Sequence, residues 1–126
     1  MINRIDHIVL TVRDINITLS FYTNILKMKV VNLPKNRKAL QFGNQKINLH
    51  ELNSTITPKA HQPTPGSVDL CFIINISIED LLSHLKKHKI PIIEGPIIRD
   101  CVTHKLNSLY IKDPDKNLIE LSIKLT

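Results

Sequence analysis

The segments of this chain come in one order and then in the same order again. In the first pass Ile5, Ile8 and Leu10 belong to a short β-branched run of period-2 character, which predicts a strand. Asp14 is a good helix N-cap, and the spacings of Ile15, Leu19, Tyr22 and Leu26 put all four on one face of a helix of about three turns. Three extended segments follow, KVVNL (29–33), KALQFG (38–43) and QKINLHEL (45–52), separated by Pro34, Asn36 and the Gly43-Asn44 turn. Residues 53–66 carry three prolines and no apolar period, so they read as a connector.

After the connector the order repeats. SVDLCFII (67–74) reads as a strand, and Ser77 with Asp80 three residues on forms a capping box that opens a helix with the apolar stripe Ile78, Leu81, Leu82 and Leu85. Ile90 to Ile93, Leu106 to Asp113 and Asn117 to Ile123 supply three more strands, the last two joined by the turn DPDKN. Within EGPIIRD (94–100), Gly95-Pro96 signals a turn rather than a strand. The predicted architecture is α+β: a βαβββ module over residues 1–52, a connector over 53–66 and a second βαβββ module over 67–126.

With 126 residues the chain is one domain, or two very small half-domains sharing a core. It has no signal-type N-terminus and no apolar run near the roughly 20 residues of a membrane helix, so the expectation is a cytoplasmic protein without a membrane partner. Cys71 and Cys101 lie about thirty residues apart without a CxxC, which makes neither a zinc knuckle nor a disulfide framework. The net charge of +6 comes from scattered lysines without tryptophan or an aromatic stacking platform, so nucleic acid is not expected as a partner.

Duplication allows the halves to be compared position by position. Laying IDHIVLTV on VDLCFII puts His7 opposite Asp69 or, with a one-residue shift, Leu70; laying NLHEL on LIELS puts His50 opposite Glu120. The opening and closing strands of each half thus carry metal-competent side chains at related positions. By strand alternation His7 shares a face with Ile5 and Val9, and His50 with Asn48 and Leu52, while Glu51 points away. His61, His84, His88 and His104 fall in the connector, on a polar helix face and in a loop, where solvated histidines are common.

RIDHIVLTVRDINITLSFYTNILKMKVV, QKINLHE, PGSVDLCF and LYIKDPDKNLIELS together resemble the vicinal oxygen chelate superfamily of glyoxalase I, fosfomycin-resistance proteins and extradiol dioxygenases. Within it the chain is most similar to the small proteins called glyoxalase-domain-containing protein 5. The resemblance implies two βαβββ modules curled into a half-barrel cup around one divalent metal (Fe, Mn, Ni, Co or Zn), with open positions for vicinal oxygens of a small-molecule substrate. Its ligand positions correspond to His7, His50, Asp69 and Glu120. His7, His50 and Glu120 make a two-histidine, one-carboxylate set. Where the family has His this chain has Asp69, which leaves Asp69, with Glu120, as a candidate proton carrier in lyase, isomerase or ring-cleaving dioxygenase chemistry. Arg99 and Tyr110 are candidates to meet the substrate at the mouth, and a homodimer is implied. Lys27 and Lys116 stand where members commonly have glycine, which predicts left-handed backbone carried by lysine. Two other readings compete: a metal-free drug-binding protein of the bleomycin-resistance type, and a fosfomycin-type thiol transferase.

Overall fold

A computed structural model describes residues 1–125 as two four-stranded sheets, each with its own helix. The first unit, Met1–Ser67, runs β1 (His7–Val12), α1 (Ile15–Asn24), β2 (Lys29–Leu33), a 3-10 turn (Pro34–Asn36), β3 (Arg37–Phe42) and β4 (Gln45–Glu51). Its sheet order is β1-β4-β3-β2, with β1 parallel to β4 and the other pairs antiparallel. The second unit, from Val68 onward, runs β5 (Asp69–Ile73), α2 (Ile78–Lys87), β6 (Glu94–Asp100), β7 (Lys105–Lys112) and β8 (Leu118–Leu125). Its order, β5-β8-β7-β6, repeats that of the first with β5 parallel to β8. No helix or strand lies between β4 and β5. The helices have ten residues each, and among the described residues none is long and apolar enough to cross a membrane.

Both helices begin where the sequence places their caps. The Asp14 carboxylate accepts from the N–H groups of Asn16 and Ile17, and Ser77 Oγ accepts from Asp80 N, so donors that a helix start leaves unpaired are satisfied locally. In the first unit Tyr22 of α1 is buried along with Leu10, Val12, Leu40, Ile47 and Leu49 of the sheet; in the second the buried set is Leu81, Leu85, Leu109, Ile111, Ile119 and Leu121. These alternate along each strand with residues of the opposite face, which is the face available for chemistry.

Two details of the elements depart from expectation. The helix α1 ends at Asn24, so Leu26 lies beyond it, and Thr18 rather than an apolar residue is buried one turn before Tyr22. In the second unit Ile90 to Ile93 precede the strand, and EGPIIRD is β6 itself rather than a loop. The reason is Gly95, whose φ of +96° sits at a register shift between Glu94 and Ile97. A Cβ there would come within 2.5 Å of Ser108 O and 2.9 Å of Leu109 Cα, so the glycine marks a close backbone approach inside a strand. Pro96 is tolerated because β6 is an edge strand.

The β7–β8 turn is tied to the start of β5. Asp113 Oδ1 accepts from Asp115 N and Asn117 N, both at 2.9 Å, and its Oδ2 accepts from Asn117 Nδ2 at 2.8 Å. Asn117 Oδ1 in turn accepts from Val68 N at 2.9 Å. Asn117 is wholly buried, so Asn117→Ala would remove the bonds to Asp113 Oδ2 and Val68 N and is expected to lower unfolding stability by roughly 2 to 3 kcal/mol, measured by urea denaturation. Lys27, Lys89 and Lys116 all have left-handed φ, at 59°, 57° and 70°. Lys89 closes α2, with Ile90 N donating to Leu85 O across it at 2.9 Å. Lys89→Gly is therefore expected to raise stability by about 1 kcal/mol in the same assay.

Candidate functional site

The two parallel ladders decide which polar side chains share a face. In the first unit His7 pairs with Lys46, Val9 with Asn48 and Thr11 with His50. In the second Asp69 pairs with Leu118, Cys71 with Glu120 and Ile73 with Ser122. His7 and Asp69 are thus the same first position of the same strand, as the first alignment of the halves has it. Glu120, however, corresponds to Asn48, and His50 corresponds to Ser122. The expected match of His50 with Glu120 is off by two residues, because NLHEL and LIELS align by their polar letters one way and by their ladders another.

This has a geometric consequence for the expected ligand set. His7 and His50 are on one face but four ladder steps apart, about 13 Å along the strands. Side chains that stand roughly perpendicular to a sheet do not converge over that span on an ion bound at about 2 Å, so the structure does not bring the two histidines together. It brings His7 to Asn48, two steps away, and Asp69 to Glu120 in the same relation, each pair separated by roughly 7 Å along the strand. Among the described residues no group of three or more His, Cys, Asp or Glu side chains gathers in position to hold an ion. Asn48 escaped the sequence reading because an asparagine between Ile47 and Leu49 carries no metal signature; only its register marks it.

Around His7 the Nδ1 atom lies 2.9 Å from Asp6 Oδ2, which leaves Nε2 as the atom available for another partner. The Asp6 carboxyl is lowered below its ordinary pKa by that hydrogen bond and by the His7 charge. The Oδ1 of Asn48 is buried and has no hydrogen-bond partner, a state that buried polar atoms rarely occupy. Burial, then the charges of Arg37 and Lys59, push the His50 imidazole below its usual pKa.

In the second unit Glu120 is half-buried and belongs to a connected polar row. Ser122 Oγ donates to Glu120 Oε2 at 3.2 Å, and lies 2.7 Å from Ser108 Oγ and 3.3 Å from Cys71 Sγ. Tyr110 is the cross-strand neighbour of Glu120. The expected substrate contacts Arg99 and Tyr110 do come together: Arg99 Nε donates to Tyr110 OH at 3.1 Å, its guanidinium carbon lies 5.4 Å from the Tyr110 ring centre, and its terminal nitrogen is 3.4 Å from Glu94 Oε2. Asp69 is exposed at the head of β5. Ser108, Ser122 and Cys71 were not legible as site residues, since each reaches this face only through pairing with a strand distant in sequence. Their alternation with Glu120 and Tyr110 is the one signal the sequence holds.

The Cys71 thiol is pushed up in pKa, first by burial and further by the Glu120 carboxylate, although Ser122 opposes the shift. A thiol held protonated is a poor nucleophile. Cys71 is therefore expected to alkylate with iodoacetamide several-fold more slowly than a free thiol at pH 7.5, and to speed up in Glu120→Gln; equal rates in wild type and variant would remove the carboxylate as a cause.

The sequence profile of the Glyoxalase/Bleomycin resistance protein/Dioxygenase superfamily matches residues 4–121, and the chain belongs to that superfamily. It is 52% identical over 122 residues to the virulence protein STM3117 of Salmonella typhimurium strain LT2, covering 97% of this chain and 85% of that protein. The crystal structure of that protein superposes with a TM-score of 0.94 over 99% of both chains. The glyoxalase domain-containing protein RDO1 of Mycosarcoma maydis is 49% identical over 121 residues, 96% of this chain and 68% of its own length. At 22% identity a mutant of the fosfomycin resistance protein FosX of Listeria monocytogenes, solved with Mn(II) and dihydroxypropylphosphonic acid, shares the fold with a TM-score of 0.68 over 97% of this chain and 90% of its own. The repeated βαβββ order with parallel outer pairs is the fold of this superfamily.

Proposed function

We propose that the chain is a metal-dependent enzyme of the glyoxalase and dioxygenase type, acting as a homodimer on a small substrate with vicinal oxygens. In this reading the ligand candidates are His7 and Asn48 in the first unit and, by resemblance to the superfamily, Glu120 in the second, with Asn48 in the role that the sequence reading gave to His50. The observation that carries it is the orphaned Oδ1 of Asn48, one double step along the ladder from a histidine whose Nδ1 is already engaged by Asp6. A carboxylate bonded to the far nitrogen of a histidine fixes the tautomer that leaves Nε2 a lone pair, the common arrangement behind a metal-binding imidazole. An imidazole, an amide oxygen and a carboxylate form an oxygen-rich set, which among Fe, Mn, Ni, Co and Zn leans toward Mn or Fe(II). FosX, of the same fold, has been solved with Mn(II).

When bound, the ion supplies Lewis-acid polarisation of a carbonyl or diol oxygen and stabilises the negative charge that develops on it. The protein's own groups do the rest. Ser122 donates to one Glu120 oxygen and so orients that carboxylate. Asp69, exposed and on the same face as Glu120, has the freedom to accept and return a proton. Tyr110 holds Arg99 in place, and the guanidinium meets an oxygen of the substrate.

Elemental analysis of the purified chain tests the assignment. About one equivalent of metal per chain is expected in wild type and in His50→Ala, falling to about a tenth or less in His7→Ala, Asn48→Ala and Glu120→Ala, since loss of a ligand typically weakens a site at least as much as the 10–100-fold seen for its outer partners. Equal metal in all of these proteins would sink the site, and a metal-free wild type after reconstitution would turn the reading to a metal-free small-molecule-binding protein.

A further inference from the structure

His50 is left outside the ligand set above, yet it is not an isolated surface residue. Across the ladder Thr11 is its partner on β1. On β3, Lys38 pairs with Leu49, so the next residue outward, Arg37, is the neighbour of His50 on the same face. The segment after β4 turns back over this end of the sheet and encloses a pocket of about 100 Å³, bordered by Thr11, His50, Ser54, Pro58, Lys59 and Ala60. That is room for a group of a few non-hydrogen atoms.

Cations outnumber acids around the pocket, where Glu51 is the acidic lining residue. Arg37 and Lys59 both act on the His50 ring. Among the described residues neither they nor His50 makes an ion pair: Lys59 Nζ donates to Ser54 O at 3.1 Å and Arg37 Nε to Pro34 O at 3.0 Å, each leaving further N–H donors. Ser54 Oγ accepts from Ile56 N at 3.1 Å, so its own hydrogen remains to be donated. Glu51, the acid that borders the pocket, has its carboxylate engaged at the start of α1, where Oε2 accepts from Ile15 N at 3.2 Å. Two cations and several spare donors around a space of this size, against one carboxylate held at the start of α1, form a receptor for a small anion.

We propose that this pocket binds a small oxyanion, the carboxylate or phosphate end of a ligand, through Lys59, Arg37, His50 and the hydroxyls of Thr11 and Ser54. His50 lies two ladder steps beyond Asn48, so the anion would sit roughly 7 Å along the strand from that residue. That the occupant is the tail of the substrate rests on the enzymatic reading above; the anion site itself does not.

The test is a titration of the full-length, 15N-labelled protein at low ionic strength with inorganic phosphate and, separately, with acetate, followed by NMR. Saturable shifts are expected at the Thr11, Ser54 and Lys59 amides, with affinity reduced about tenfold in Lys59→Met and in Arg37→Met and unchanged in His7→Ala. The tighter of the two anions identifies the end group. Lys59 is exposed in the connecting segment, so its variant keeps the fold, which an unchanged melting temperature verifies. Absence of saturable shifts with either anion, or shifts indifferent to both cation variants, overturns the proposal. Shifts abolished in His7→Ala would also overturn it, by assigning the anion to the ion's position; a chain that binds phosphate normally but holds no metal would instead break the enzymatic reading alone.

Discussion

The parallel pairing of each module's first and last strands is the constraint on which the rest depends. A parallel pair cannot be closed by a tight turn, so the chain must leave β1, run through a helix and two further strands, and return as β4 alongside its start. Because side chains alternate along a strand, the register of that single pair assigns every residue of both strands to the core or to the open face. In the first unit it sends Leu10, Val12, Ile47 and Leu49 inward and leaves His7, Thr11, Asn48 and His50 on the other face. The same pairing in the second unit sends Ile119 and Leu121 to one face and puts half-buried Glu120 and buried Ser122 on the other.

The two open faces treat their polar groups differently. In the second unit the serines, the cysteine and Glu120 form a connected row, and Arg99 is held between Tyr110 and Glu94. A satisfied network of this kind holds its members in one geometry. The first unit leaves Asn48 Oδ1 without a partner and sets Arg37, Lys59 and His50 near one another without an ion pair between them and Glu51. A buried, unpartnered oxygen like that of Asn48 is costly to keep in a folded protein unless something outside the chain meets it. The imbalance leaves the first unit, more than the second, with polar groups for a ligand to meet.

Much of the fold could be read along the chain because its signals are local. Asp14 and Ser77 cap helices with their own side chains, and the Asp113–Asn117 turn is written in five consecutive residues. Lysines at Lys27 and Lys116 take the left-handed backbone that the family's glycines imply. The strand at Glu94–Asp100 was hidden because Gly95 and Pro96 look like a turn from within their own segment, while the reason for Gly95 is the nearness of Ser108 and Leu109.

The site divides in the same way. By itself the sequence determined the duplicated βαβββ order, the helix caps, the residues able to bind a metal, and the alternation that places His7 with Val9 and His50 with Asn48, because each of these depends on neighbours a few residues away. Only the tertiary structure decided that Asn48 rather than His50 is the counterpart of Glu120, that Tyr110 receives Arg99, and that His50 faces Arg37 and Lys59. Those relations depend on how one strand is registered against another, and a shift of two residues leaves the alternation of faces intact while moving a side chain about 7 Å.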